Sequence, residues 1–205
     1  LLRLARLWEA RATDPFYARH LLDSAFYDEM ARKILDGTLS GPYLMAPLYG
    51  YFLAGIYQIA GMDSPTPVYA VQVAMGAGTA ALAAALGARV GARFDRPALA
   101  AWVSGLAMAV YPVAVLYDVR LLSVSLASFL AALGAWLLQR VWDADRPRLG
   151  EALLAGLVLG LATTARGNLL FALPLLVLAF GVRAVRRRQL AVALLFVLGL
   201  AAPLA

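Results

Sequence analysis

Long apolar runs separated by short charged stretches dominate the chain from residue 67 to its end. Residues 97–117 and 121–139 contain no charged side chain, and each run approaches or exceeds the roughly 18 residues typical of a membrane span. The runs are rich in Ala, Leu and Gly and do not alternate, so a transmembrane β-barrel is excluded. Backbone polar groups in lipid must be paired internally. The pattern therefore predicts an all-α, multi-pass integral membrane protein.

The part before residue 67 has a different pattern, with charges spread over residues 9–42. The stretch "DSAFYDEMARKILDG", residues 23–37, predicts an amphipathic helix whose apolar face holds Phe26, Met30 and Ile34. Gly37 then provides a C-terminal stop. The aromatic run 43–60, which also contains Pro47, is typical of a segment that lies in the membrane interface without crossing.

The expected organisation is a single transmembrane domain over residues 1–205. Residues 9–66 form an external loop with interfacial helices, and residues 67–205 form transmembrane helices. Because the sequence starts and stops within apolar runs, we expect it to be truncated at both ends.

Arginines cluster in three short connections, at 89–96, 140–148 and 183–188. Positive residues in short loops mark the cytoplasmic side, so the chain must cross outward and back between them. The turns at 117–120 and 165–168 are then external, as is the loop 9–42. This topology gathers the polar candidates on the external face: Asp23, Asp118, Arg120, Arg166 and Asn168.

Composition narrows the chemistry further. Charged residues make up 15% of the chain, well below the roughly 25% of soluble domains. The absence of cysteine and the single histidine, His20, exclude disulfides and the common zinc sites. Any metal would be a hard cation held by carboxylates. The net charge of +6 comes from loops between spans, which excludes a nucleic-acid surface.

The hairpin around "ARGN", residues 165–168, is short. The runs 152–165 and 169–182 would each extend only about 21 Å as helices, against a hydrocarbon core of about 30 Å. Unless residues 147–151 extend the helix, Arg166 and Asn168 lie below the outer surface. A guanidinium at that depth needs a cavity or an anion. The alternative is that Arg166 snorkels to the headgroups.

The run "DPFYARHLLDSAFYDEMARKILDG" followed by "APLYGYFLAGIYQIAG" resembles bacterial glycosyltransferases that use lipid-linked sugars. These form the protein O-mannosyltransferase and aminoarabinose-transferase group (glycosyltransferase family 39-like), with the GT-C fold. The later stretch "GLVLGLATTARGN" is similar to a Gly-Leu-Ala…Thr-Arg-Pro-Asn-type segment of that group, with Gly167 where its members often have proline.

The resemblance implies roles for individual residues. Asp23 would be the catalytic carboxylate in the first external loop, and Asp118 the second acidic residue near the site. Substrate contacts would come from a group of four: Tyr27, Arg120, Arg166 and Asn168.

The resemblance also implies the reaction. A sugar on a polyprenyl phosphate would pass, with inversion, to a hydroxyl on a protein, lipid or glycan acceptor. The setting would be the external face of a bacterial inner membrane, among membrane lipids. No cofactor is expected, although a divalent cation such as Mg²⁺ or Mn²⁺ is compatible with the chemistry.

Two alternatives remain open at this point. Asp23 has an ordinary structural explanation as a helix N-cap, for which Asp is among the best residues. At the level of function, Arg166 and Asp118 also suit a transporter or flippase for a lipid or small anion. Transporters often show paired repeats with broken helices, and the sequence contains no such repeat. A purely structural membrane subunit would have no evident use for an acidic external helix.

Overall fold

The computed structural model describes residues 1–204, and these residues are helical and without strands. The ten α-helices are α1 (Leu2–Thr13), α2 (Asp23–Leu35), α3 (Leu48–Ala60), α4 (Thr66–Ala92), α5 (Pro97–Val110), α6 (Pro112–Tyr117), α7 (Val124–Asp143), α8 (Leu149–Ala165), α9 (Leu173–Arg186) and α10 (Leu190–Ala201). Two 3₁₀ segments occupy Gly167–Ala172 and Ala202–Leu204. The all-α prediction is confirmed.

Three helical segments within residues 1–204 are long and apolar enough to cross a membrane: Thr66–Ala92, Val124–Asp143 and Gly167–Arg186. At most a third of each apolar window is buried inside the protein. Such apolar surfaces are compatible with lipid as the surrounding solvent. The chain is therefore compatible with an α-helical membrane protein, as its sequence predicts.

Helix boundaries agree with the sequence at several points. The predicted amphipathic helix is α2, and Gly37 follows it with a φ of +66°, a conformation that favours glycine. The helix α3 has 13 residues, about 20 Å, which is too short to cross a membrane. The run 97–117 is not one helix, because Pro112 starts a new helix after the extended residue Tyr111.

The chain divides into two compact units, Leu1–Leu126 and a second that begins at Ala127. In the first unit, α4 and α5 pack closely through small residues, as membrane helices often do. A Cβ atom on Gly105 would lie 2.8 Å from the Cβ of Ala84. Ser104 strengthens the same contact by donating a 2.9 Å hydrogen bond to the carbonyl of Ala83.

The second unit is built on the crossing of α8 and α10. A Cβ atom on Gly156 would collide with the carbonyl oxygen of Phe196, and one on Gly199 with that of Leu153. Bare glycines thus let the two backbones touch. Beside this crossing the rings of Phe180 and Phe196 pack with centroids 4.8 Å apart.

Candidate functional site

Asp23 is the first residue of α2, and its side chain is exposed. Leu22, with a φ of +52°, occupies the N-cap position, and no side chain caps the helix. The capping explanation for Asp23 is therefore not supported by the geometry. Within residues 1–204 its carboxylate has neither a hydrogen-bond partner nor a cationic partner. A negative charge in the first turn is still favourable because it faces the positive end of the helix dipole.

Tyr27 lies one turn after Asp23 but is buried. Its ring meets that of Tyr49 edge to face, with centroids 4.8 Å apart. Met30 continues the same contact, since a Cβ atom on Gly50 would lie 2.7 Å from its sulfur. The side chain of Tyr27 thus serves the packing of α2 on α3, and a contact with a substrate stays a prediction.

Asp118 follows α6 and is buried in an ion pair that the sequence did not indicate. One carboxylate oxygen accepts from the guanidinium of Arg3, and the other accepts a 2.7 Å hydrogen bond from Ser125. Arg3 also donates a 3.0 Å hydrogen bond to the carbonyl of Met108. Gly76 of α4 lies against the pair, and a side chain there would collide with both charged groups. The pair is well satisfied, as a buried ion pair must be.

Arg120 has a partner of its own. Its guanidinium donates a 2.7 Å hydrogen bond to Asp14, which lies just after α1. Arg6 approaches the same carboxylate at 4.0 Å. The charge of Arg120 is partly neutralised, and its side chain remains partly exposed.

Gln72 of α4 holds the segment that carries Asp118 and Arg120. Its amide nitrogen donates to the backbone carbonyl of Asp118 at 3.0 Å and to that of Arg120 at 2.8 Å. Its amide oxygen accepts from Tyr49 at 2.5 Å. An amide side chain within a long apolar helix needs hydrogen-bond partners. Gln72 is therefore a residue whose importance could have been recognised from the sequence.

Asp23 and Asp118, which are predicted to lie close together, form no polar contact with each other among residues 1–204. Both residues belong to the first unit. Their meeting in space stays a prediction.

Arg166 and Asn168 belong to the second unit and are both exposed. Arg166 ends α8 in an extended conformation, and neither side chain has a hydrogen-bond partner in the described chain. The helix α8 starts at Leu149 and has 17 residues, about 26 Å. The helix thus includes residues 149–151, part of the stretch on which the expectation of a sunken Arg166 was conditional, and the depth of Arg166 stays a prediction.

A polar cavity of about 350 Å³ lies between the start of α2 and the end of α3. His20, Asp28, Arg32, Tyr57 and Asp63 line it. Asp28 accepts a 2.6 Å hydrogen bond from Tyr57 and a 3.0 Å hydrogen bond from Arg32. Asp28 is partly buried rather than fully solvated, because Tyr57 of α3 packs over it. Glu29, the next residue, is exposed and forms a surface ion pair with Lys33.

The electrostatics of this cavity follow from its contacts. Burial by itself would raise the pKa of Asp28, but the hydrogen bonds from Arg32 and Tyr57 outweigh it and leave the pKa below its ordinary value. Burial lowers the pKa of His20, against the opposing pull of Asp28. His20 is therefore neutral and Asp28 ionised near neutral pH.

Residues 1–204 contain no cluster of three or more His, Asp or Glu side chains arranged to hold a metal ion. No family model, no curated protein and no solved structure matches this chain. The functional assignment therefore depends on the residues themselves and on the resemblance described above.

Proposed function

We propose that the chain is the transmembrane part of a multi-pass GT-C-type glycosyltransferase of a bacterial inner membrane. The observation that carries the proposal is Asp23, an exposed carboxylate without a protein partner at the start of the amphipathic helix α2. The resemblance to GT-C glycosyltransferases implies that the catalytic carboxylate lies at this position. The apolar helices support a membrane setting for the proposal, and the arginine-rich loops favour the external orientation of Asp23.

In this proposal Asp23 is the general base. It accepts the proton of the acceptor hydroxyl while that oxygen attacks the anomeric carbon of the donor. The bond from the anomeric carbon to the lipid phosphate oxygen breaks, and the phosphate leaves with the electron pair. Attack from the face opposite the leaving group inverts the configuration. Help of this kind typically contributes about 10²–10⁴-fold to the rate.

The leaving phosphate needs a cation, and arginine matches phosphate with a fork of donors. Arg120 and Arg166 are the candidates for this role. Arg120 belongs to the same unit as Asp23 but is already paired with Asp14, while Arg166 of the second unit has no protein partner among residues 1–204. Asn168 lies two positions further along the same exposed segment and is assigned a donor contact.

Asp118 takes a positioning role in this proposal. Both of its oxygens are occupied by Arg3 and Ser125, so it holds the segment that presents Arg120. Direct proton transfer is left to Asp23.

The test is Asp23→Asn in the full-length protein, reconstituted with a polyprenyl-phosphate sugar and an acceptor. We expect sugar transfer to fall by about 10²-fold or more, with insertion and thermal unfolding unchanged. Asp36→Asn removes an exposed carboxylate from the other end of α2 and is the matched control. Undiminished transfer by the Asp23 variant would refute the assignment, and donor translocation without transfer would favour a flippase.

A further inference from the structure

A second cavity, of about 420 Å³, lies at the basic end of α9 in the second unit. Its polar side is formed by Arg183, Arg186 and Arg187, with Trp142 of α7 beside them. Its apolar side is formed by Ala179 and Val182, one turn earlier on α9. Nothing in the proposed sugar transfer uses this cavity.

Arg183 is fixed within the protein. It donates hydrogen bonds to the carbonyl of Trp142, to that of Ala144 at 3.3 Å and to the side chain of Gln189 at 3.1 Å. Its guanidinium also lies 5.2 Å from the centre of the Trp142 ring, a favourable cation–π distance. Arg183 therefore forms a rigid wall of the cavity and keeps its charge there.

Arg186 and Arg187 are much less engaged. Arg186 has no hydrogen bond or ion pair within residues 1–204. Arg187 has one ion pair of 3.2 Å, with an Asp145 whose side chain is 94% exposed, and such surface pairs contribute little. Asp143 is the one acidic residue of the lining. Three guanidinium groups against the carboxylates of Asp143 and Asp145 leave the cavity with a net positive charge that an anion would relieve.

The apolar wall indicates what kind of anion fits. Ala179 and Val182 lie in Gly167–Arg186, one of the segments long and apolar enough to cross a membrane. Trp142 is partly exposed and lies at the end of another such segment, where aromatic residues typically meet lipid headgroups. We propose that this cavity binds an anionic phospholipid, with its phosphate on Arg186 and Arg187 and its acyl chain along Ala179 and Val182.

The experiment compares lipid retention in native mass spectra. The full-length protein is extracted from bilayers that contain phosphatidylglycerol and phosphatidylcholine with identical acyl chains. The variant Arg186→Gln removes the unpaired cation of the cavity. The matched control Arg188→Gln removes the same charge two positions later, from an exposed residue that does not line the cavity. A third sample contains an excess of inorganic phosphate.

We expect the wild type to retain phosphatidylglycerol over phosphatidylcholine. This preference should fall about fivefold in Arg186→Gln, the effect of one arginine near a membrane surface. It should be unchanged in Arg188→Gln and in excess phosphate. No preference in the wild type, or an equal loss in both variants, would overturn the site in favour of diffuse attraction. Full displacement by inorganic phosphate would overturn the lipid assignment in favour of a free anion.

Discussion

The hydroxyl of Tyr57 on α3 donates a 2.6 Å hydrogen bond to the carboxylate of Asp28 on α2. The two residues are 29 positions apart, and Arg32 completes the arrangement from the next turn of α2. Burial and this bond together raise the pKa of Tyr57, so the phenol stays protonated and remains a donor. The contact ties α2 to α3, the two short helices that precede the long apolar helix α4. It thereby helps to fix the position of Asp23 at the start of α2.

Tyr57→Phe should destabilise the α2–α3 pair by about 1.5 kcal/mol, the low end for a hydrogen bond to a charged group. The measurement is thermal unfolding of the purified protein in detergent. Tyr51→Phe is the matched control, because it removes an exposed hydroxyl whose one hydrogen-bond partner among residues 1–204 is Tyr43, and it should change stability by less than about 0.5 kcal/mol. Equal effects of the two variants would show that the bond to Asp28 is not a structural tie.

Acidification should loosen the same region in two steps. The pKa of His20 is lowered from 6.5, so the unfolded chain takes up a proton first, and stability present above pH 6.5 is lost as the pH falls through the folded value. The pKa of Asp28 is lowered from 3.8, so its contribution is present above 3.8 and is lost only below it. Unfolding temperatures measured between pH 8 and pH 5 should therefore include the step that comes from His20.

The variant His20→Gln separates the two steps. It should remove the upper step and leave the lower one, which Asp28→Asn should remove. If the wild type and His20→Gln showed parallel curves between pH 8 and pH 5, the burial of His20 would be without thermodynamic consequence.

The crossing of α8 and α10 depends on the absence of a side chain at Gly156. Gly156→Ala should cost about 1–3 kcal/mol, as overpacking does, because the new Cβ meets the carbonyl of Phe196. Gly181→Ala on α9 has nothing within 4 Å of the new Cβ and should stabilise by up to about 1 kcal/mol through helix propensity. Unfolding in detergent measures both, and a neutral Gly156→Ala would refute the close approach.

Local patterns in the sequence were sufficient to predict α2, its stop at Gly37 and the long apolar helix α4, because apolar periodicity and glycine act over a few residues. The partner of Asp118 could not be predicted from the sequence, since Arg3 is 115 positions away and no local pattern links the two residues. The same holds for Asp14 and Arg120, which are 106 positions apart. The start of α8 at Leu149, before the apolar run itself begins, was also not evident from local hydrophobicity.

Gln72 is a residue for which the sequence does predict a buried polar contact. It is the one charged or amide side chain in the apolar run from residue 67 to residue 88. A polar group at such a place demands partners, and the structure supplies three of them. That argument predicts a buried polar contact, although it cannot name the partner.

Variants of the Arg3–Asp118 pair can distinguish a structural role of Asp118 from a catalytic one. Asp118→Asn leaves a buried arginine without its charge partner, which typically costs about 3–5 kcal/mol. The double variant Arg3→Met with Asp118→Leu removes both charges and should recover most of that loss, since apolar replacement of a buried pair is often neutral.

Sugar transfer by the double variant then decides the role of Asp118. If Asp118 only positions the segment that carries Arg120, transfer per folded molecule should stay within about tenfold of the wild type. If Asp118 is a general base or acid, the rate of transfer should instead fall by about 10²–10⁴-fold, whatever the stability of the variant. Thermal unfolding and transfer measured on the same preparations would therefore assign Asp118, and a folded but inactive double variant would return it to the catalytic pair with Asp23.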